Sequence, residues 1–268
     1  MTLDKAIARL APKLKELEPG HVWLAGAGPG SAGALTLDVV SALSQADAIV
    51  YDALVDSAVL NVADGAELHF MGKRGGKESV RQDEITALLI ALARRGKRVL
   101  RLKGGDPYVF GRGGEEALAL AHAGIPFHIL PGVTSAFGAM ASVGIPATMR
   151  GMNRAIILAT GHAADGTAQD LDWAALAKTG QPIVVYMGLR NLVPIAASLV
   201  AGGLKPTTPV AVVMAATTPD ERVVVSDLAN IGGETAKAGI VSPALIIVGE
   251  IVSMRAELIE LARSMRSA

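Results

Sequence analysis

Residues 102–116 read Leu-Lys-Gly-Gly-Asp-Pro-Tyr-Val-Phe-Gly-Arg-Gly-Gly-Glu-Glu, and they close an apolar run that begins at Arg98. The run stops at two glycines, an acid and a proline, and a second glycine pair then opens a helix-like segment. That order predicts a strand, a binding loop and a helix start. Glycines let a ligand approach the backbone closely and permit positive φ, while Pro107 stiffens the turn. Asp106 is placed to accept ligand hydroxyl or amino protons. Taken alone, the same residues also suit an ordinary strand-to-helix connection with a capping Asp.

Outward from this loop, short apolar runs of strand length alternate with helix-period segments. Runs at 22–25, 48–51, 68–71, 99–102 and 127–130 read as buried strands. After Met149 the rhythm restarts at 155–159, 183–187, 210–214, 223–225 and 245–248. The pattern predicts an α/β protein of two α/β domains, 20–147 and 148–268, with helices between the strands. Residues 2–18 carry Asp4, Lys5 and Arg9 in an amphipathic pattern and predict an accessory helix within 1–19, without the apolar core of a signal peptide. Ligands of such sheets sit beyond the carboxyl ends of the strands.

Composition narrows the function. Lys plus Arg and Asp plus Glu are 25 each in 268 residues, so overall charge points to neither nucleic acid nor a membrane surface. The chain has no cysteine, which removes disulfides, thiolate catalysis and cysteine metal sites and suits a cytoplasmic protein. The uncharged stretch 129–149 is broken by Pro131, Gly132, Gly138, Gly144 and Pro146 and makes a poor membrane span. His21, His69, His122, His128 and His162 show no metal-site spacing, and no metal is expected. Charge is uneven, with eleven Lys or Arg against four acids from 73 to 112. Arg94, Arg95, Lys97 and Arg98 read as a helix end. Lys73, Arg74 and Arg112, beside glycines, are left to face an anionic small molecule.

A second glycine loop, Gly26 to Gly33, follows the first strand. Gly28, Gly30 and Gly33 satisfy Gly-x-Gly-x-x-Gly, and Asp52 ends the second strand near the distance of a ribose-binding acid, so an NAD(P)-dependent dehydrogenase is one reading. Pro29 inside the fingerprint removes an amide that a pyrophosphate would use. The segment 131–136, Pro-Gly-Val-Thr-Ser-Ala, offers hydroxyls for a helix cap or a ligand. Met187, after Tyr186, suits either the core or the flat ring of a ligand, and His162 follows Thr160-Gly161 at a strand end.

Together these segments resemble one family. Val-Trp-Leu-Ala-Gly-Ala-Gly-Pro-Gly at 22–30, Tyr-Asp-Ala-Leu-Val at 51–55, Gly-Lys-Arg-Gly-Gly at 72–76, the stretch 102–116, the segment 131–136 and Thr-Gly-His at 160–162 are similar to uroporphyrinogen-III C-methyltransferases among the tetrapyrrole methyltransferases. The resemblance runs from about residue 20 to 252. It implies two α/β domains with S-adenosyl-L-methionine in a cleft between them, usually in a homodimer, and S-adenosyl-L-homocysteine as product. Cofactor contacts are then expected at Pro29, Gly104, Gly105, Asp106, Val109, Thr134, Ser135, Met187 and Ala216, with Pro243 and Ala244. Substrate contacts are expected at Lys73, Arg74, Arg112, Arg150, Tyr186 and Met187, and catalytic roles among Asp52, Arg112, Glu115, Arg150 and His162. Ala215-Ala216-Thr217 stands where such enzymes often carry Asn-Gly-Thr, and Ser242-Pro243 where Gly-Pro is frequent, so only backbone contacts carry over there.

The implied reaction methylates uroporphyrinogen III at carbons 2 and 7, giving precorrin-2 by way of precorrin-1. The small tetrapyrrole is the expected partner, and the branch beyond it, to sirohaem, cobalamin or haem d1, is set by neighbouring enzymes. The length is expected to leave no room for a fused dehydrogenase or ferrochelatase module. A tetrapyrrole carrier that transfers no methyl group is the third reading.

Overall fold

The structure is a computed structural model and describes residues 2–72, 81–161 and 171–266. The chain divides into two units, Met1–Thr134 and Ser135–Ala268. In the first unit α1 (Leu3–Leu10) precedes β1 (Val22–Gly26), α2 (Leu37–Gln45), β2 (Ala48–Tyr51), α3 (Ser57–Leu60) and β3 (Glu67–Phe70). Then come α4 (Gln82–Arg94), β4 (Val99–Lys103), α5 (Gly113–His122) and β5 (Phe127–Leu130). The five strands form one parallel sheet in the order β3-β2-β4-β1-β5.

Burial on both faces explains why these strands read as continuous apolar runs. Side chains alternate between faces. Val22, Leu24, Ala48, Val50 and Val99 pack with Leu89 and Leu92 of α4 and Leu120 of α5. Trp23, Ala25, Ile49, Leu100 and Leu102 pack with Val39 and Leu43 of α2 and Val59 of α3. Each fully buried leucine contributes about 1.5–3 kcal/mol. Helix α2 is started by Thr36, whose hydroxyl accepts the Val39 N–H at 3.3 Å.

The accessory helix expected over 2–18 is shorter in the structure. Helix α1 ends at Leu10, a 3-10 turn containing Pro12 covers Ala11–Lys13, and Leu14 is extended with ψ 148°. Proline is tolerated in the first turn of a helix but cannot supply the N–H that would continue it. The extended segment after Leu14 is anchored by Leu17, 3 % exposed, whose N–H donates to Gln45 Oε1 at 2.8 Å.

The second unit contains α6 (Ser135–Ser142), β6 (Ile157–Thr160), α7 (Trp173–Lys178), β7 (Ile183–Tyr186), α8 (Leu192–Ala201) and β8 (Pro209–Met214). It ends with β9 (Arg222–Asp227), α9 (Ile231–Lys237), β10 (Ala244–Val248) and α10 (Met254–Arg266). Its sheet has the order β6-β7-β10-β8-β9; β6 and β7 are parallel, and β10 runs antiparallel to β7 and β8. Trp173, Leu192, Ile195, Leu199 and Ile231 of the helices cover Ile183, Val185, Val210, Val212, Ile246 and Val248. The rhythm of one helix per strand fails here: β8 and β9 pair antiparallel across residues 215–221 without a helix.

The sequence places the division after residue 147, whereas contacts divide the chain at 134/135, and the difference is essentially α6. The Ala136 N–H donates to Tyr186 Oη at 3.0 Å, which ties the start of α6 to the end of β7. The uncharged stretch 129–149 is spread over the end of β5, a loop, α6 and the turn and loop after it. Among the described residues no helix is long and apolar enough to cross a membrane.

Candidate functional site

In the first unit the loops at the carboxyl ends of β1, β4 and β5 converge on Gly105. Gly28 N–H donates to Gly105 O at 3.1 Å and Gly105 N–H to Gly28 O at 2.7 Å, a two-residue antiparallel bridge. Gly105 has φ +68°. A Cβ on either Gly26 or Gly132 would fall against the Gly105 carbonyl. Three glycines are therefore required for three chain segments to meet. Asp106 locks the junction: its Oδ2 accepts the Gly132 N–H at 3.0 Å and its Oδ1 the Tyr108 N–H at 2.8 Å. The junction brings together Pro29, Gly104, Gly105, Asp106, Val109 and Thr134, all from the expected cofactor set.

Asp52 lies at the end of β2 on the same edge. Its Oδ1 accepts the Leu54 N–H at 3.1 Å. A Cβ at Gly104 would come within 2.7 Å of Leu54 Cβ, so the 52–55 turn packs directly on the glycine loop. Arg112 and Glu115 also meet, with Arg112 Nη2 2.6 Å from Glu115 Oε2 and both side chains 56 % exposed. The Arg112 guanidinium holds the Glu115 carboxyl below the usual carboxylate range. Lys73, Arg74 and His162 lie outside the described residues.

The same geometry removes the dinucleotide reading. A dinucleotide fingerprint opens directly into a helix whose free amides hold the pyrophosphate. Here the Gly28 N–H is spent on Gly105, and α2 begins only at Leu37, after a 3-10 turn over Ala32–Ala34. Strand β1 lies between β4 and β5 rather than beside β2.

In the second unit the antiparallel register sets Ala244 of β10 opposite Met214 of β8. The start of β10 therefore shares an end of the sheet with the close of β8 and β7. Met187, Ala216, Pro243 and Ala244 all fall at that end, and Ser135 opens α6 beside it through the Ala136–Tyr186 bond. Ala215 N–H donates to Pro243 O at 3.0 Å, and the 242–243 peptide is cis. A concavity of about 520 Å3 is lined there by Met214, Ala215, Pro219, Glu221, Arg222 and Pro243. Met187 is half exposed, whereas Tyr186 is buried. Its hydroxyl accepts from α6, so Tyr186 belongs to the frame. Arg150 is exposed in a turn after α6.

Backbone strain gathers at the same ends. Among the described residues the non-glycine positions with positive φ are Phe110, Arg112, Met187, Ala215 and Thr217. Such conformations cost about 1–3 kcal/mol each and persist where surrounding structure imposes them. All five border the glycine loop of the first unit or the strand-end turns of the second. A concavity of about 820 Å3, by contrast, is lined by residues 11, 12 and 14–19 with Ser41, Ser44, Gln45, Asp47 and Arg98, next to the amino ends of β2 and β4. Function in a parallel sheet belongs to the other end.

The sequence reading missed a buried charge cluster. Arg101 is 2 % exposed, Lys103 4 % and Glu116 0 %. Glu116 Oε1 accepts from Gln82 Nε2 at 2.9 Å, Lys103 Nζ at 3.1 Å and Arg101 Nε at 3.2 Å. Burial pushes the Lys103 ammonium below its usual pKa, with Arg101 adding to the effect and Glu116 opposing it. Alternation was the available signal, since Arg101 and Lys103 are two apart on one strand and so share a face. The helix-end reading of the basic run is also corrected. Helix α4 stops at Arg94, and Lys97 and Arg98 instead pair with Glu67 at 2.8 Å and Asp47 at 2.7 Å.

Known proteins share much of this sequence and its fold. The description of tetrapyrrole (corrin/porphyrin) methylases matches residues 21–232. A uroporphyrinogen-III C-methyltransferase from Sinorhizobium sp. is 50 % identical over 247 residues, covering 91 % of this chain and 88 % of that protein. A sirohaem synthase from Methylococcus capsulatus is 46 % identical over 240 residues, 89 % of this chain, which spans only 51 % of that longer protein. The crystal structure of uroporphyrin-III C-methyl transferase from Thermus thermophilus, complexed with S-adenosyl homocysteine, aligns with TM-score 0.76 and 39 % identity over 87 % of this chain and 99 % of that one. With the glycine junction of the first unit and the strained turns of the second in place, the chain belongs to the tetrapyrrole (corrin/porphyrin) methylases.

Proposed function

We propose that the chain transfers methyl groups from S-adenosyl-L-methionine to carbons 2 and 7 of uroporphyrinogen III, giving precorrin-2 by way of precorrin-1. The observation that carries the reading is the junction at Gly105, placed at the carboxyl edge of β1, β4 and β5 in a chain half identical to a uroporphyrinogen-III C-methyltransferase. The residues present fit the cofactor. Gly104 and Gly105 offer bare backbone to a bulky ligand, and each Asp106 oxygen retains a lone pair after its one backbone bond.

When bound, the cofactor would supply an activated sulfonium methyl, open to in-line attack by a pyrrole carbon, with the C–S bond breaking and S-adenosyl-L-homocysteine leaving as the thioether. The protein's task is then positioning and electrostatics. In this reading Gly104, Gly105, Asp106 and Val109 hold the cofactor with Pro29 and Thr134 in the first unit. Ser135, Met187, Ala216, Pro243 and Ala244 serve it in the second. Arg112, Arg150, Lys73 and Arg74 grip the acetate and propionate groups, and guanidinium forks suit carboxylates bidentately. Methylation leaves a cationic tetrapyrrole that must release a proton. Asp52, about a quarter exposed in the turn whose Leu54 packs on Gly104 and 3.7 Å from Arg101, is the acceptor we favour over Glu115, which Arg112 holds at 2.6 Å.

The test is an anaerobic incubation of the purified protein with uroporphyrinogen III and methyl-labelled S-adenosyl-L-methionine, with mass analysis of the tetrapyrrole. Two labelled methyl groups per tetrapyrrole are expected. A protein that binds the tetrapyrrole and transfers none is a carrier, and the reading fails.

A further inference from the structure

Glu116 occupies the core-facing stripe of α5 with Gly113, Ala117 and Leu120. Its Oε1 holds both Arg101 and Lys103, and its Oε2 has no hydrogen-bond partner among the described residues. Desolvating such charges is costly, and apolar residues of the same volume would often be as stable or more so. Stability therefore gives no reason for three charged groups under a sheet face that is otherwise aliphatic. Their arrangement relative to the surface does. Arg101 Nη2 lies 3.7 Å from Asp52 Oδ2, and Arg101 Nη1 is fixed by the carbonyls of Val50 at 3.3 Å and Leu102 at 3.2 Å. The cations Arg101 and Lys103 thus balance two carboxylates, Glu116 below and Asp52 above. Of the four side chains only Asp52, 26 % exposed, reaches well into solvent.

We propose that Glu116 is a positioning residue for methyl transfer: through Arg101 it fixes the place and orientation of the Asp52 carboxylate at the head of the turn that packs on Gly104. The inference rests on the proposed function, in which Asp52 takes the substrate proton. With Glu116 in place, the Arg101 guanidinium is held from beneath at Nε and presents its outer nitrogen to Asp52. Without the Glu116 charge, Arg101 and Lys103 both turn their attraction to Asp52, and its carboxylate is drawn down from the loop edge.

The test is a double-mutant cycle on the full chain with Glu116→Gln, Asp52→Asn and the pair together. It reads kcat and KM for uroporphyrinogen III, the calorimetric Kd for S-adenosyl-L-homocysteine and the thermal midpoint. Glu116→Gln is expected to lower kcat about tenfold or more, as displacement of a reacting group does, with Kd changed less than about twofold. In the Asp52→Asn background the same substitution should change kcat less than about twofold, because the group it positions is gone. A merely structural role would lower the midpoint and act equally in both backgrounds, and that outcome overturns the proposal. So does an unchanged kcat in Glu116→Gln. If Asp52→Asn itself keeps wild-type kcat, the role given to Asp52 falls and this inference with it. If Asp52→Asn is slow and Glu116→Gln is not, only the inference falls. Should Glu116→Gln fail to fold, Arg101→Lys, which keeps the charge but loses the fork, must show the same dependence on Asp52.

Discussion

Single atoms decide the glycine junction. A methyl group added at Gly132 would point at the Gly105 carbonyl and at the Gly26 backbone, neither of which is the yielding end of a side chain. Overpacking of this kind costs about 1–3 kcal/mol. Gly132→Ala is thus expected to lose stability by about that amount in urea unfolding and, in the proposed reading, to weaken S-adenosyl-L-homocysteine binding in calorimetry. A variant with wild-type binding would detach the junction from the cofactor. Arg112 sits at the opposite extreme, exposed and paired with a neighbour on its own helix turn. An exposed pair of that kind contributes little to stability. Arg112→Gln should leave the midpoint and cofactor affinity nearly unchanged while raising KM for uroporphyrinogen III several-fold, and an unchanged KM would remove Arg112 from the substrate site.

Elements carry the same division of labour between sheet ends. Asp47, just before β2, ties that end to the start of β4: its Oδ2 accepts the Arg98 N–H at 2.8 Å and its Oδ1 the Arg98 guanidinium at 2.7 Å. The Arg98 guanidinium hydrogen bond holds the Asp47 carboxyl at about 2, below the unfolded value of 3.8. A depressed folded pKa gives stability that is present above 3.8 and is lost as pH falls towards 2. About a third of the side chain faces solvent, so the contribution after screening is about 1 kcal/mol. Asp47→Asn should lower stability by that amount at neutral pH and flatten the fall between about pH 4 and 2 in denaturant titrations, with kcat untouched. The strands themselves were legible because burial on both faces leaves uninterrupted apolar runs, and each of the ten runs overlaps a strand. Strand direction was not legible. Apolar runs such as 210–214 and 245–248 look alike whether parallel or antiparallel, and only the turn at 215–221, too short for a crossover helix, hints at the pairing of β8 with β9.

At the scale of the molecule, each unit has its expected cofactor residues among the described ones at one end of its own sheet. The motifs of the first unit could be read directly, since glycines with a single acid and proline admit few backbone paths. The second unit's end was reached only through resemblance, because Ala215 and Ala216 carry no side chain with evident chemistry; positive φ at Ala215 and Thr217 is what marks the turn. The buried trio of Arg101, Lys103 and Glu116 escaped because charges inside an apolar run read as surface until a helix is known to cover them. This end-to-end asymmetry has a measurable consequence. A ligand that binds only the folded state at a hundred times its Kd stabilises it by about 2.7 kcal/mol, and the protection falls on the segments it touches. Amide exchange with saturating S-adenosyl-L-homocysteine should therefore slow at 104–109 in the first unit and at 187–188 and 215–217 in the second. Exchange at the opposite ends, at 96–98 and 180–182, should stay as in the free protein. Slowing confined to one unit would strike the other unit's residues from the cofactor set, and uniform slowing at both ends of both sheets would mean that the ligand acts on global stability without the contacts assigned to it.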